Sequence, residues 1–260
     1  MHRQAAVAGV FYPADAGSVT EFIKSSLPDG APEKAVGVVV PHAGYIYSGA
    51  TAVRTLARVK IPDTVILVGP NHTGAGPSIS VYPEGSWATP LGDVPVDSVL
   101  VDKFCENPLF NKDTTAHHSE HSLEVILPIL KYFNPDVKVV CVTVKYINLE
   151  TAETAAKHIA DVTDALFVIS SDLNHFEDAE ITERKDMAVM EKLLEMDMNG
   201  LYYIVPEENI SMCGVVPACM GIRYCQAKGA DTAVFVEHIH SGLVSGDNNR
   251  VVGYAGLYYK

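Results

Sequence analysis

Short runs of Val and Ile alternate along the chain with longer segments in which apolar residues recur every three or four positions. The short runs have the length of strands, and several are apolar throughout, as in strands covered on both faces of a parallel sheet. They occupy residues 36–40, 65–68, 137–144, 166–169, 233–239 and 251–258. The segments with helical spacing are residues 48–59, 122–133, 150–162, 180–198 and 215–228. This alternation predicts an α/β fold, a three-layer sandwich with a mostly parallel central sheet.

We expect one domain over residues 1–260, because no linker, internal repeat or low-complexity segment interrupts the pattern. Residues 69–95 form the longest stretch without helical spacing, and the run 78–82 within it is expected to be an edge hairpin or excursion beside the site. A hydrophobic content of 48% over 260 residues supplies enough apolar surface for a full core.

The chain is acidic, with 19 Lys and Arg against 32 Asp and Glu and a net charge of −13. This balance disfavours nucleic acid and anionic membrane surfaces as partners, since both are bound through basic patches. Five cysteines without a CxxC pair indicate neither a disulfide framework nor a zinc ribbon. Without a signal pattern or an apolar run of membrane-spanning length, we expect a reduced, cytoplasmic protein that acts on a small molecule.

Three histidine-bearing loops each begin where a predicted strand ends. His42 follows the run 36–40, His72 follows 65–68, and the sequence from Ser170 to His175 follows 166–169. The carboxyl ends of parallel strands share one edge of a sheet, where ligands bind. One such histidine is most often structural, but three at equivalent positions favour a shared site, and imidazole is the commonest metal ligand.

Two further segments contribute candidates. Cys213 precedes the predicted helix 215–228, and a helix N-terminus favours the thiolate that binds metals, whereas Cys219 and Cys225 are expected to be buried. The segment 117–124 holds three histidines and two glutamates that can act as acids, bases or ligands. There we favour His121 for the site.

The remaining histidines receive structural interpretations. We expect His117 and His118 to be solvated, with a serine of the same segment capping the helix that follows. His238 and His240 lie two apart on a strand and so share a face. They are interpreted as a structural pair, with lining of the crevice as the alternative.

Six motifs together resemble the Memo family. The opening stretch, residues 5–13, also resembles the microbial members of this family, known as AmmeMemoRadiSam system protein B. The motifs are Pro-His-Ala-Gly-Tyr at 41–45, Gly-Pro-Asn-His at 69–72, Thr-Pro-Leu-Gly at 89–92, Glu-His-Ser at 120–122, Ser-Asp at 171–172 with His175, and Cys-Gly at 213–214. The matches span nearly the whole chain. The resemblance implies a fold like that of the class III extradiol dioxygenases (LigB-like), non-haem iron enzymes that open catechol rings with O₂.

The resemblance also implies a metal site built from His42, His72 and Cys213, with Asp172 and His175 beside it. The dioxygenases have a carboxylate where this family has the thiol, and the softer sulfur makes copper or zinc plausible beside Fe(II). Microbial members are associated with a radical SAM protein and an AMMECR-type protein, which are the expected functional partners.

Three functions follow as hypotheses. The first is a metal-dependent, dioxygenase-like oxidoreductase with non-haem iron or copper, in which Asp172 polarises or orients a ligand and His121 and His175 move protons. In this hypothesis Tyr45 contacts the substrate. The second is a zinc-dependent hydrolase that activates water. The third is a non-catalytic module that retains the pocket for a peptide or a partner protein.

Overall fold

The alternating pattern becomes nine α-helices and twelve strands in a computed structural model that describes all residues from 1 to 260. The helices are α1 (Ala16–Ser25), α2 (Ala50–Leu56), α3 (Ser98–Phe104), α4 (Leu127–Phe133), α5 (Leu149–Val162), α6 (Ala179–Leu194), α7 (Met198–Glu207), α8 (Val215–Ala227) and α9 (Gly242–Ser245). The strands are β1 (His2–Arg3), β2 (Gly37–Val40), β3 (Thr64–Pro70), β4 (Ile79–Val81), β5 (Ser86–Trp87), β6 (Val94–Pro95), β7 (Asn111–Lys112), β8 (Lys138–Val144), β9 (Leu166–Ser170), β10 (His175–Glu177), β11 (Ala233–His240) and β12 (Val251–Tyr259).

Nine strands form the main sheet, in the order β10-β12-β2-β9-β3-β8-β4-β7, with β11 paired to β12. Strands β2, β9, β3 and β8 run parallel to one another at its centre. Strands β10, β11 and β12 are joined by antiparallel pairings, β12 is antiparallel to β2, and β4 is antiparallel to β8. The α/β class is therefore confirmed, but the sheet is mixed rather than mostly parallel.

Helices cover both faces of this sheet. On one face α2 packs against β2 and β12, with α1 and α4 beside it. On the other face α8 packs against β2, β9 and β3, flanked by α5 and α7. This arrangement agrees with the predicted three layers. No helix of the protein combines the length and the apolar character that crossing a bilayer requires.

The start of the chain forms an arm that is held to the site by one buried carboxylate. Glu124 is fully buried and accepts hydrogen bonds from the Arg3 guanidinium at 2.6 Å, from the Ala6 and Val7 amides at 2.9 Å, and from the Tyr12 hydroxyl at 2.8 Å. Arg3 also donates to the carbonyls of His117 and Glu120. Each polar atom of this cluster thereby gains a partner, as burial requires.

The predicted helix 122–133 is realised only in its second half. A 3₁₀ turn spans Glu124–Ile126 and α4 begins at Leu127. Neither element has a side-chain N-cap, so the predicted serine cap is wrong. The Ser122 hydroxyl instead donates to the carbonyl of Pro70, because this segment is held across the ends of the neighbouring strands.

His117 is buried, contrary to its expected solvation, while His118 is exposed as predicted. The His117 ring packs edge-on against Tyr82 and Trp87, with centroid distances of 5.6 and 5.8 Å. Neither ring nitrogen has a hydrogen-bond partner in the protein. Burial, and to a lesser degree the nearby Arg3 charge, lower the pKa of His117 to about 4.

We expect His117 to make the fold sensitive to acid. The pKa of His117 is about 4 in the folded chain and about 6.5 in the unfolded chain. The folded chain therefore loses stability as the pH falls from about 6.5 towards 4. Between pH 7 and pH 5 the free energy of unfolding should fall by about 2 kcal/mol through this residue alone. Urea unfolding of wild type and His117→Phe at both pH values measures the difference. Equal losses in the two proteins would contradict the assignment.

Candidate metal centre

The candidate ligands lie at adjacent strand ends. His42 follows β2, His72 follows β3, and Asp172 follows β9, which lies between those two strands in the sheet. Cys213 lies two residues before α8, which packs beneath the same strands. The predicted convergence at the carboxyl edge of the sheet is therefore observed. His42, His72 and Cys213 bring one donor atom each within 4.8 Å of the other two.

The tautomer of His42 is set by its hydrogen bonds. Its Nδ1 lies 2.8 Å from the Ser170 hydroxyl oxygen, and that hydroxyl donates its one hydrogen to the Ser122 carbonyl at 2.6 Å. The hydroxyl must therefore accept from Nδ1–H of His42, which leaves Nε2 unprotonated and facing the Cys213 thiol. Burial and the neighbouring His72 and His121 lower the pKa of His42 well below its usual value, which keeps the ring neutral.

A buried carboxylate sets the orientation of His72 in the same way. Glu120 Oε1 lies 2.8 Å from His72 Nδ1 and accepts from the Ser122 amide, while Oε2 accepts from the His72 amide at 2.6 Å. Burial alone raises the pKa of Glu120, but these hydrogen bonds outweigh it and hold the pKa at about 2. An ionised Glu120 accepts from Nδ1–H, so Nε2 of His72 is also unprotonated.

Cys213 reaches the histidines because its loop lies directly on the end of β9. A Cβ on Gly214 would come within 2.4 Å of the Ser171 Cβ and 2.8 Å of the Ser170 carbonyl oxygen, so only glycine fits there. The Gly214 amide donates to the Ser171 hydroxyl at 3.0 Å. The Asp172 amide faces the Cys213 sulfur at 3.4 Å.

The local electrostatics do not favour a free thiolate. Burial raises the pKa of the Cys213 thiol, and the neighbouring Asp172 carboxylate raises it further. Burial also raises the pKa of Asp172, although its Oδ1 accepts from the His42 amide at 2.8 Å. The thiolate expected from the helix N-terminus is thus opposed by these larger effects, and a bound cation would be needed to displace the thiol proton.

The three donors fit a small transition-metal ion. His42 Nε2 and Cys213 Sγ are 3.4 Å apart. Bonds of about 2.05 Å to nitrogen and 2.3 Å to sulfur at a tetrahedral angle would place the two atoms about 3.6 Å apart. Both imidazoles present a lone pair, and each is held by a hydrogen bond on its other nitrogen, the usual arrangement behind a metal.

Glu120 holds a ligand rather than acting as one. His72, Glu120 and His121 form a second group whose donor atoms lie within 4.8 Å of each other. However, both Glu120 oxygens are already engaged by His72 and Ser122. The carboxylate is fully buried, and His121 Nδ1 is 3.6 Å from it. We therefore read this group as the support of the first.

We expect Glu120→Gln to weaken metal binding by about 10- to 100-fold, since it removes the carboxylate that orients His72. Metal affinity measured by competition with a chelator, and the visible spectrum of the Co(II)-loaded protein, should both change. Glu124→Gln is the matched control, because it alters another buried glutamate of the same segment that contacts no candidate ligand. Equal effects of the two variants on affinity would contradict the positioning role.

His121 and His175 lie beside the three donors. The His121 ring stacks on His72 with a centroid distance of 4.7 Å, and Phe11 packs on its other side at 4.9 Å. The His175 amide donates to the Ser211 hydroxyl at 2.7 Å, and its buried Nδ1 has no partner in the protein. The nearby His175 imidazole exerts a lowering influence on the pKa values of both His42 and Asp172. Their proton-transfer roles remain predictions.

Tyr45 does not lie where a substrate could touch it. It is only 3% exposed, its hydroxyl donates to the Val125 carbonyl at 3.0 Å, and its ring packs against Tyr12 and Phe22. The expected substrate contact therefore finds no support in the geometry. The following residues, Ile46 and Tyr47, are the exposed ones, because the chain enters a π-helical turn over Tyr45–Gly49.

The remaining predictions concern His238 and His240 as a structural pair and two cysteines as buried residues. His238 Nε2 lies 2.9 Å from the buried Asp186 carboxylate, and His240 Nε2 lies 3.5 Å from Glu183, which agrees with a structural pair. Cys219 and Cys225 are buried as predicted.

Sequence reasoning missed the supporting residues Glu120 and Ser170. Glu120 precedes the favoured His121 in sequence. Its role in orienting His72 depends on a contact between residues 48 positions apart, which the local pattern does not reveal.

The fold and the site together define a class: α/β proteins with a candidate centre of two imidazoles and one thiol at adjacent strand ends. Comparison with known proteins agrees. A family model described as Memo-like protein matches residues 3–258. The MEMO1 family protein of Aquifex aeolicus is 40% identical over 263 residues, which cover 99% of this chain and 98% of that protein. That of Ignicoccus hospitalis is 39% identical over 279 residues, with coverages of 99% and 98%. The chain belongs to the Memo family.

Proposed function

We propose that this chain is a metal-dependent oxidoreductase of the dioxygenase type, with architecture related to the class III extradiol dioxygenases, that acts on a small molecule. The observation that carries the proposal is that His42 and His72 each present an unprotonated Nε2, and that both histidines lie with the Cys213 sulfur in a group whose donor atoms are within 4.8 Å of one another. Non-haem iron or copper, which His42, His72 and Cys213 would hold, would supply open coordination positions for a substrate and dioxygen.

The residues around these donors suit proton movement. His175 is half-buried, so its imidazole can take a proton from a hydroxyl of the substrate, while its buried Nδ1 has no protein partner. His121 is partly exposed and stacks on His72, so it can exchange a proton with solvent. Asp172 adjoins the sulfur, since its amide faces Cys213 Sγ at 3.4 Å, and burial raises the pKa of its carboxyl group.

The arm at the start of the chain supports the proposal by covering one side of the site. The Tyr45 amide donates to the carbonyl of Phe11 at 2.7 Å, and the ring of Phe11 covers His121. The Phe11 ring thereby shields one face of the His121 imidazole. Reactive oxygen chemistry benefits from such shielding, because side reactions with water are suppressed.

The test is anaerobic purification, loading with Fe(II) or Cu, and measurement of O₂ consumption with a panel of catechols. We expect metal near one equivalent per chain and O₂ uptake that depends on both metal and substrate. Stoichiometric zinc without O₂ uptake would favour the hydrolase instead. A protein that binds none of Fe, Cu and Zn would leave only the non-catalytic module.

A further inference from the structure

Phe176, directly after His175, has an unusual backbone conformation. Its φ is +65°, in the left-handed region that residues with side chains rarely adopt, and its ring is 61% exposed. An exposed phenylalanine in a strained conformation gains nothing for the core. Strain of this kind occurs mainly where function requires it.

A β-bulge accompanies this conformation. His175 pairs with Val252 and Glu177 pairs with Val251, so Phe176 is the extra residue between two successive partners on β12. In a regular strand the side chains of residues 175 and 176 would point to opposite faces. Here their rings lie together, with centroids 5.5 Å apart, so the bulge places the Phe176 ring beside the His175 imidazole.

Arg250 lies over this ring, with its guanidinium carbon 5.4 Å from the centroid. Of the six arginines, Arg3, Arg54 and Arg223 form ion pairs with glutamates, whereas Arg58, Arg184 and Arg250 form none. Arg250 is exposed and forms no ion pair or hydrogen bond with the rest of the chain. An unpaired arginine in a protein of net charge −13 is available to an anion from outside.

We propose that Phe176 and Arg250 form an anion-recognition subsite, so that the substrate is an aromatic molecule carrying a carboxylate or a phosphate. This inference rests on the proposed function, since it names the substrate class of the same site. The Phe176 ring packs against the substrate ring and orients the guanidinium. The planar guanidinium binds either anion through two parallel hydrogen bonds.

The charge of the protein strengthens this assignment. An acidic surface repels an anionic substrate, and the repulsion extends over about 8–10 Å at ordinary salt. The unpaired guanidinium of Arg250, over the Phe176 ring, provides a local positive charge on this acidic surface. Binding should therefore weaken when salt is raised, whereas binding of an uncharged aromatic should not.

The experiment uses Co(II)-loaded protein and three probes of similar size: phenylphosphate, benzoate and benzyl alcohol. Calorimetry should show that the wild type prefers the anions, and the comparison of phenylphosphate with benzoate distinguishes phosphate from carboxylate. Arg250→Gln should weaken binding of the preferred anion by about 10-fold or more and leave benzyl alcohol unchanged. Phe176→Ala should weaken all three.

The matched control is Arg58→Gln. Arg58 lies in the turn before β3, at the opposite edge of the sheet, and donates to the Asp29 carbonyl. The Arg58→Gln substitution removes the same charge and should leave anion binding unchanged. Equal weakening by both arginine variants, unchanged binding in Arg250→Gln, or no preference of the wild type for anions would each overturn the subsite.

Metal content is measured on these samples, and O₂ uptake is measured with the catechol panel on Fe(II)-loaded samples of the same variants. Arg250→Gln and Phe176→Ala should retain the metal content of the wild type, because neither residue contacts a candidate ligand. Anion preference without O₂ uptake would contradict the oxidoreductase but keep the subsite. O₂ uptake without anion preference would contradict the subsite but keep the oxidoreductase.

Discussion

His42→Ala, His72→Ala and Cys213→Ser should each weaken metal binding by about 100- to 1000-fold. A metal held by four ligands contributes about 10–16 kcal/mol in small sites, hence about 3 kcal/mol per ligand, and each 1.4 kcal/mol corresponds to tenfold in affinity. The expected loss exceeds that of Glu120→Gln, because a ligand is removed rather than its support. Elemental analysis after dialysis and chelator competition measure the change.

His158→Ala is the control for these variants. His158 lies on α5 and contacts the carbonyls of Lys103 and Phe104, away from the candidate donors. It should bind metal as the wild type does. The metal-free forms of all four variants should unfold near the same urea concentration as the metal-free wild type. Unchanged occupancy in Cys213→Ser would remove the sulfur from the ligand set.

Arg3→Met should lower the free energy of unfolding by about 3–5 kcal/mol, since it leaves the buried Glu124 carboxylate without its cation. The side chains of Arg3 and Glu124 are 4% and 0% exposed, so solvent cannot replace the lost partner. The carbonyls of His117 and Glu120 lose a donor at the same time. Urea unfolding at pH 7 measures the effect.

Arg54→Met provides the comparison for this prediction. Arg54 pairs with Glu237, with side-chain exposures of 42% and 21%, so its removal should cost at most about 1 kcal/mol. Similar losses in the two variants would show that burial of the Arg3–Glu124 pair is not what matters. The double variant Arg3→Met with Glu124→Leu should recover part of the loss, because it removes the unpaired charge as well.

The position of the site could be predicted because parallel strands place their carboxyl ends together. His42 and His72 were found from the runs that precede them, without any knowledge of their contacts. The direction of β11 and β12 was not predicted, since Val- and Ile-rich runs do not encode direction. The short connection between them, with only α9 inside it, did contain that information, because a parallel pair needs a longer crossover.

The supporting residues could not be predicted for a different reason. His117 and Glu124 lie in a polar segment whose local pattern indicates exposure. Their burial arises from distant parts of the chain: the His117 ring packs against Tyr82 and Trp87, and Glu124 is covered by the arm, more than 100 positions away in sequence. By contrast, α1 was missed although its start carries a local signal, since Asp15 is a typical N-cap residue and its side chain accepts from the Ser18 amide.

The alternate residues of one short segment fix three separate parts of the molecule. Glu120 orients His72, the carbonyl of Ser122 sets His42 through Ser170, and Glu124 anchors the N-terminal arm. A one-residue insertion or deletion between 120 and 124 would therefore displace both imidazoles and the arm at once. Anyone who transplants this centre onto another scaffold must move the five residues as one unit, and natural length variation should fall outside them.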